Sequence, residues 1–338
     1  MEYDEIRIKY AVINILDSTN IMPVISDTLL ELTNETVREY LKKHIAKCFS
    51  SEENKKCTFI NAENVFVNGM KDISDEKSFI NVTADFSKKL FELMKDNAGI
   101  PCADVVFAMF DYDGTSYFAM LKMNYKTSFI HYVETVGEEV TATILPQYLA
   151  LPSESQKVEE SVFISCSDFE ILLQEKKFLI HDEKCFYLSD LYLNCSGAAS
   201  QKKRLNTVAK IAEDINKKYY DESAEKKVEF KKALIEEYEE KGGIDPMAVA
   251  DRLYGNNIEV KNEFAERIEQ QGIKNEPIVP AEKTLARKTE RQIFKTDTGI
   301  EINIPVDIYD DSRVVEFVTN PDGTISIIIK NIANLVSK

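Results

Sequence analysis

Apolar residues run almost without interruption on either side of one turn near the middle of this chain. Val105–Phe110 and Tyr117–Leu121 flank Asp111-Tyr112-Asp113-Gly114. Asp113-Gly114 supplies the positive-φ residues that a tight hairpin needs. Runs this continuously apolar predict central strands of a sheet covered on both faces. Upstream, 6–32 holds two apolar-rich stretches around Asp17-Ser18-Thr19-Asn20, which predicts two strands joined by a turn. Val37, Leu41, Ile45 and Cys48 recur at helical spacing and predict a helix over 34–49. Phe79, Val82, Phe86, Leu90 and Leu93 predict another over 78–95. Downstream, 126–136 and 140–148 read as strands, with Gly137 to Glu139 as their turn. A linker-like Pro152–Gln156 precedes short strands at 162–166 and 178–181, and Asn194 to Gly197 marks a boundary.

The period then changes. Leu205, Val208, Ala212, Ile215 and Tyr219 make one helical stripe. A second helix, 224–241, runs into Gly242-Gly243, a natural C-cap. Asp245-Pro246 starts a third that stops at Gly255, with Asp as N-cap and Pro at the first helical position. Val260, Phe264 and Ile268 mark a fourth, which stops before Gly272. Beyond it, Ile300, Ile302, Ile304, Val306 and Ile308 alternate with polar residues, the signature of a half-buried strand. Asn320-Pro321-Asp322-Gly323 suits a type I turn between strands at 314–319 and 324–329. The expected class is α+β: a mixed or antiparallel sheet domain with helices (1–197), a helical region (198–272) and a small C-terminal antiparallel β module (273–338).

Charge and cysteines narrow the function. The 338 residues include 58 acidic and 42 basic side chains, a net charge of −16, and 44% are hydrophobic. A chain this acidic is repelled as a whole by a nucleic-acid backbone, so contact with one requires a local basic patch or a partner. Six scattered cysteines show no CxxC pair and no zinc spacing. Met1 to Glu5 is acidic without an apolar signal core, and no run of about 18 apolar residues exists. A cytoplasmic protein with reduced thiols, no membrane and no metal or nucleotide cofactor is expected.

Candidate chemistry is sparse. The three histidines, His44, His131 and His181, lack a nucleophile elbow or an HExxH around them and read as structural. His181 and Cys185 lie four apart without the further ligands zinc requires. Asp111-Tyr112-Asp113-Gly114 lacks the remaining ligands of a calcium loop. No GxxxxGK[ST] or GxGxxG occurs. The helices around Gly255-Asn256-Asn257 have the order of a helix-turn-helix, but Glu259, Glu263, Glu266 and Glu269 would face phosphate. Lys283, Arg287, Lys288, Arg291 and Lys295 form a basic stretch with Glu290 as its one acid. On a continuous helix, Arg287, Lys288, Arg291 and Lys295 would form one stripe able to hold a phosphate backbone by charge. The competing reading is a solvated face, or a partner for the acids of 297–311. Lys202, Lys203 and Arg204 are a second, shorter candidate.

The layout resembles the NdpA-like bacterial nucleoid-associated proteins over nearly the whole chain. The resemblance is carried by Ile6–Ile15 and Met22–Leu32 with Asp27 to Leu30, by the Val105–Met123 hairpin with Tyr117, and by Leu205–Tyr220. Its most specific part is C-terminal: Ile244, Phe264, Gly272, Pro280, Phe294, Gly299-Ile300, Asp322 to Ile325, and Ile327 to Asn331. It implies a non-enzymatic protein of the cytoplasm and nucleoid without catalytic residues. Two functions stay open: direct DNA binding through the basic stripe, or a protein-interaction module recruited by a DNA-processing partner. Homo-oligomerisation also stays open.

Overall fold

The computed structural model describes residues 3–61, 63–136, 139–180, 183–255, 257–273 and 277–334. Its contacts fall into two units, Met1–Ser200 and Gln201–Lys338. In chain order the first unit contains β1 (Arg7–Leu16), α1 (Glu35–Phe49), β2 (Lys55–Phe59), α2 (Val65–Lys71), α3 (Glu76–Asp96), β3 (Ala103–Tyr112) and β4 (Thr115–Asn124). It continues with β5 (Lys126–Val136), β6 (Glu139–Ala150), β7 (Glu160–Ser165), β8 (Ile171–Gln174), β9 (Phe178–Ile180), β10 (Glu183–Cys185) and β11 (Cys195–Gly197). Seven strands form one antiparallel sheet in the order β1-β3-β4-β7-β8-β2-β11.

The β3–β4 hairpin closes with Tyr112 opposite Thr115, with Asp113 and Gly114 at φ 47° and 73°. Its strands are apolar at consecutive positions because each face meets a helix. Val105, Phe107, Phe118 and Met120 pack with Phe79, Phe86 and Leu90 of α3. Val106, Ala108, Phe110, Ala119 and Leu121 pack with Leu41 and Ile45 of α1. Asn34 caps α1 by accepting from the Thr36 and Val37 amides, and Asp75 forms a capping box with Ser78 at the start of α3.

Residues 22–32 do not form the expected second strand. One bridge joins Ile15 to Val24, and the Leu30 amide donates to Ala11. Pro23 has no N–H for a ladder, and the buried Asn14 side chain accepts from the Ser26 amide at 2.9 Å, replacing backbone pairing. Lys122 and Glu160, opposite each other on β4 and β7, are both 0% exposed and lie 3.2 Å apart. The Lys122 ammonium also donates to the Pro101 carbonyl at 3.0 Å and to Asn124, whose amide donates to Glu160 at 2.9 Å.

Among the described residues, strands β5 and β6 pair only with each other. Phe129 and Ile144 are 70% and 72% exposed, and no side chain of the ribbon belongs to a buried cluster among the described residues. The expected turn at Gly137 and Glu138 lies outside the described residues. Replacing 128–147 by a short Gly-Ser turn is therefore expected to move the thermal midpoint by less than about 4 °C, measured by calorimetry.

The second unit contains α4 (Gln201–Tyr219), α5 (Ala224–Lys241), α6 (Pro246–Tyr254), α7 (Ile258–Gln270) and α8 (Glu282–Thr289). Four strands follow: β12 (Arg291–Lys295), β13 (Glu301–Pro305), β14 (Val315–Thr319) and β15 (Ile325–Ile329). Leu205, Val208, Ile215, Leu234, Val249, Val260 and Phe264 form its core. The strand expected to reach Ile308 stops at Pro305, and Val306–Ile308 turns as a 3-10 helix.

Glu263 of α7 accepts from Lys218 at 2.7 Å, Tyr219 at 2.5 Å and Arg267 at 2.5 Å. The hydrogen bonds from Lys218 and Tyr219, followed by the Arg267 contact, hold its carboxyl down at about 2. A carboxyl depressed on folding stabilises above its unfolded pKa and loses that contribution as pH falls through the folded value. Glu263→Gln should thus narrow the stability difference from wild type as acid denaturation proceeds from about pH 4.5 towards 2. Urea midpoints measured at pH 7 and pH 3 check this, with the larger deficit expected at pH 7.

Candidate nucleic-acid interface

The basic run 283–295 is not one helix. Helix α8 ends at Thr289, and Arg291–Lys295 is a strand paired with β13. Phe294 explains the break: as part of β12 its ring packs against Tyr309 and Phe317, with centroids 6.1 and 5.5 Å away. The helical stripe expected from spacing is therefore lost, yet three of its members meet in one cleft.

That cleft has a volume of about 410 Å³ and opens between α4, α5, α6, α8 and β12. Ala209 and Ala212 of α4 are small and leave room above that helix. Lys226, Lys227, Phe230 and Lys231 share one face of α5, at positions i, i+1, i+4 and i+5. Arg287 and Lys288 occupy the last turn of α8, where cations suit the helix dipole. Arg291 opens β12. Six cations line the cleft against one carboxylate, Glu213.

Two of the cations are committed to the fold. Lys231 donates to the Arg291 carbonyl at 2.7 Å and to Gln292 at 2.8 Å, which ties α5 to β12. Lys226 pairs with Glu229 at 2.6 Å and lies 5.2 Å from the Tyr220 ring centroid. Among the described residues, no carboxylate pairs with Lys227, Arg287, Lys288 or Arg291. Burial, and then the charge of Lys202, hold the Lys288 ammonium below the usual lysine range. Burial and then Lys227 do the same to Lys231. An anion in the cleft would relieve this crowding of like charge.

The other sequence candidates are dispersed. Lys202 acts electrostatically on Lys288, whereas Lys203 is exposed and Arg204 is 5% exposed, turned into the core side of α4. Lys283 is exposed on the first turn of α8 and does not line the cleft. Lys295 faces Glu301 across the β12–β13 pair at 3.8 Å. The lysines of α5 were missed because that helix is acidic on average. The signal was positional: Lys226, Lys227, Lys231 and Lys232 fill its first half, and Glu236, Glu237, Glu239 and Glu240 its second.

The alternatives weighed from sequence find these surroundings. The cations of α7 are engaged, Lys261 with Asp251 and Arg267 with Glu263 and Asp214. His44 is buried edge-on to Tyr40, His131 is exposed on the ribbon, and His181 lies outside the described residues. Asp111 pairs with Lys9 at 2.8 Å and accepts from Ser116. Among the described residues no three His, Cys, Asp or Glu side chains cluster to hold a metal, and no helix is long and apolar enough to cross a membrane.

The two units and the cationic cleft can be set beside known proteins. The family model described as nucleoid-associated protein YejK (NA37) matches residues 12–336, and the chain belongs to this family. The membership carries a nucleoid-related role, in a family that is generally non-enzymatic. A search of curated proteins finds no match.

Proposed function

We propose that the protein binds DNA directly through the cleft of its second unit, without catalysing a reaction. The observation that supports this reading is the charge of the cleft: six cations against one carboxylate, in a chain of net charge −16. Sequence-independent binding to a polyanion needs such a local reversal of sign. Arg287 and Arg291 offer planar donors to phosphate oxygens, and Lys227 and Lys288 add point charges. The rest of the chain is net acidic, which disfavours phosphate contact elsewhere.

The exposed apolar ribbon favours a second reading, recruitment by a DNA-processing protein, since large exposed apolar patches mark interaction surfaces. Fluorescence anisotropy with a labelled oligonucleotide separates the two. Direct binding is expected at 50 mM salt and should weaken steeply towards 200 mM. No binding at 50 mM would overturn the direct reading and leave recruitment.

A further inference from the structure

The lining of the cleft is not what a duplex needs. Beside the cations the lining is apolar: Ala212, Leu234 and Leu253 are buried, and Ala209 and Phe230 half-buried. A duplex keeps its bases stacked inside and presents phosphates to a surface, so it would meet the cations and leave this apolar lining in water. Phe230 is half-buried and has no aromatic neighbour among the described residues, while Tyr220 stacks on Tyr254 with centroids 6.3 Å apart. Ile293, which also lines the cleft, is 61% exposed.

A second observation concerns Asn216. Its side chain is buried at 5% exposure and lines the cleft. Its amide nitrogen donates to the Ser223 carbonyl at 2.9 Å, which fixes the orientation of the group. Its carbonyl oxygen accepts no hydrogen bond among the described residues. A buried acceptor left unpaired costs free energy, which a ligand N–H entering the cleft would recover. Every nucleobase carries such an N–H on its Watson–Crick edge, and in a duplex that edge is already paired.

We propose that this cleft receives an unpaired nucleotide, so that the protein prefers single-stranded nucleic acid to duplex. The inference rests on the direct-binding reading above and adds to it the class of ligand. The backbone phosphates lie along Lys227, Arg287, Lys288 and Arg291. The base rests on the Phe230 ring and turns its N–H edge to Asn216. The volume of about 410 Å³ falls within the range of ordinary small-ligand pockets and accommodates one nucleotide rather than a helix. Base–aromatic stacking with a cationic groove is the general chemistry of single-strand binding.

The test measures anisotropy of the full chain with a labelled 12-mer of single-stranded DNA, the same sequence as RNA, and the duplex DNA, at 50 mM salt. At least tenfold tighter binding of a single strand is expected, and the DNA and RNA arms identify its source. Phe230→Leu keeps an apolar side chain in the core wall and removes the ring. It should weaken single-strand binding about tenfold, leave duplex binding unchanged and keep a cooperative thermal transition. Phe230→Tyr should retain the preference. Equal affinity for single strand and duplex, or a folded Phe230→Leu protein with unchanged single-strand affinity, overturns this inference and leaves direct binding standing. Absence of binding to all three probes overturns both.

Discussion

Changing Arg287, Lys288 and Arg291 together to Gln is expected to lower duplex-DNA affinity by a few hundredfold near 0.1 M salt, whatever the sequence. Each phosphate neutralised by a side chain releases condensed counterions, and log K changes by about 0.9 per contact for each tenfold change in salt. At 0.1 M that corresponds to about eightfold per contact, and three contacts multiply to a few hundred. The salt slope should flatten by nearly three units at the same time. Circular dichroism should be unchanged, because none of the three side chains supports the fold through an ion pair among the described residues. A matched triple change of Lys203, Lys283 and Lys295, which do not line the cleft, should cost far less. Equal losses in the two triples would mean that net charge, and not the cleft, governs binding.

Lys122→Met is expected to destabilise the first unit by about 3–5 kcal/mol, because it leaves the Glu160 carboxylate buried without its counter-charge. Asn124 still donates to that carboxylate, and the Tyr187 hydroxyl faces it, but neither supplies a positive charge. Burial of Lys122 pushes its ammonium below the usual lysine range, and Glu160 opposes that push. The pair is therefore held together by mutual need more than by net attraction. The double change Lys122→Met with Glu160→Leu should recover most of the loss, since well-packed apolar side chains replace buried ion pairs at little cost. Urea midpoints of the single and double variants decide it. A single variant as stable as wild type would show that water reaches Glu160.

The core of the first unit was legible in the sequence because burial on both faces leaves an unmistakable pattern. Val105–Phe110 and Tyr117–Leu121 admit little else, and the helices facing them announce themselves through Leu41, Ile45, Phe79 and Phe86. Short elements were not legible. Strand β2 reads Lys-Lys-Cys-Thr-Phe and buries only Cys57, and α2 spans two turns. The second N-terminal strand failed through Pro23 and Asn14, a side-chain contact that spacing does not reveal. The candidate site was half legible. Charge density pointed to Arg287, Lys288 and Arg291, but the helix supposed to align them ends at Thr289. What gathers them is the packing of α5 on α8 and β12 through Lys231, together with the lysines at the start of α5. Asn216 gave no signal in the sequence, because its importance lies in an acceptor left without a donor.

The most direct test of the account is lysine acetylation footprinting by mass spectrometry, with and without a saturating single-stranded oligonucleotide at 50 mM salt. Lys227 and Lys288 should be protected in the complex, while the exposed Lys77 and Lys184 of the first unit react equally in both samples. Bound oligonucleotide with Lys227 and Lys288 labelled as fully as in the free protein would contradict it.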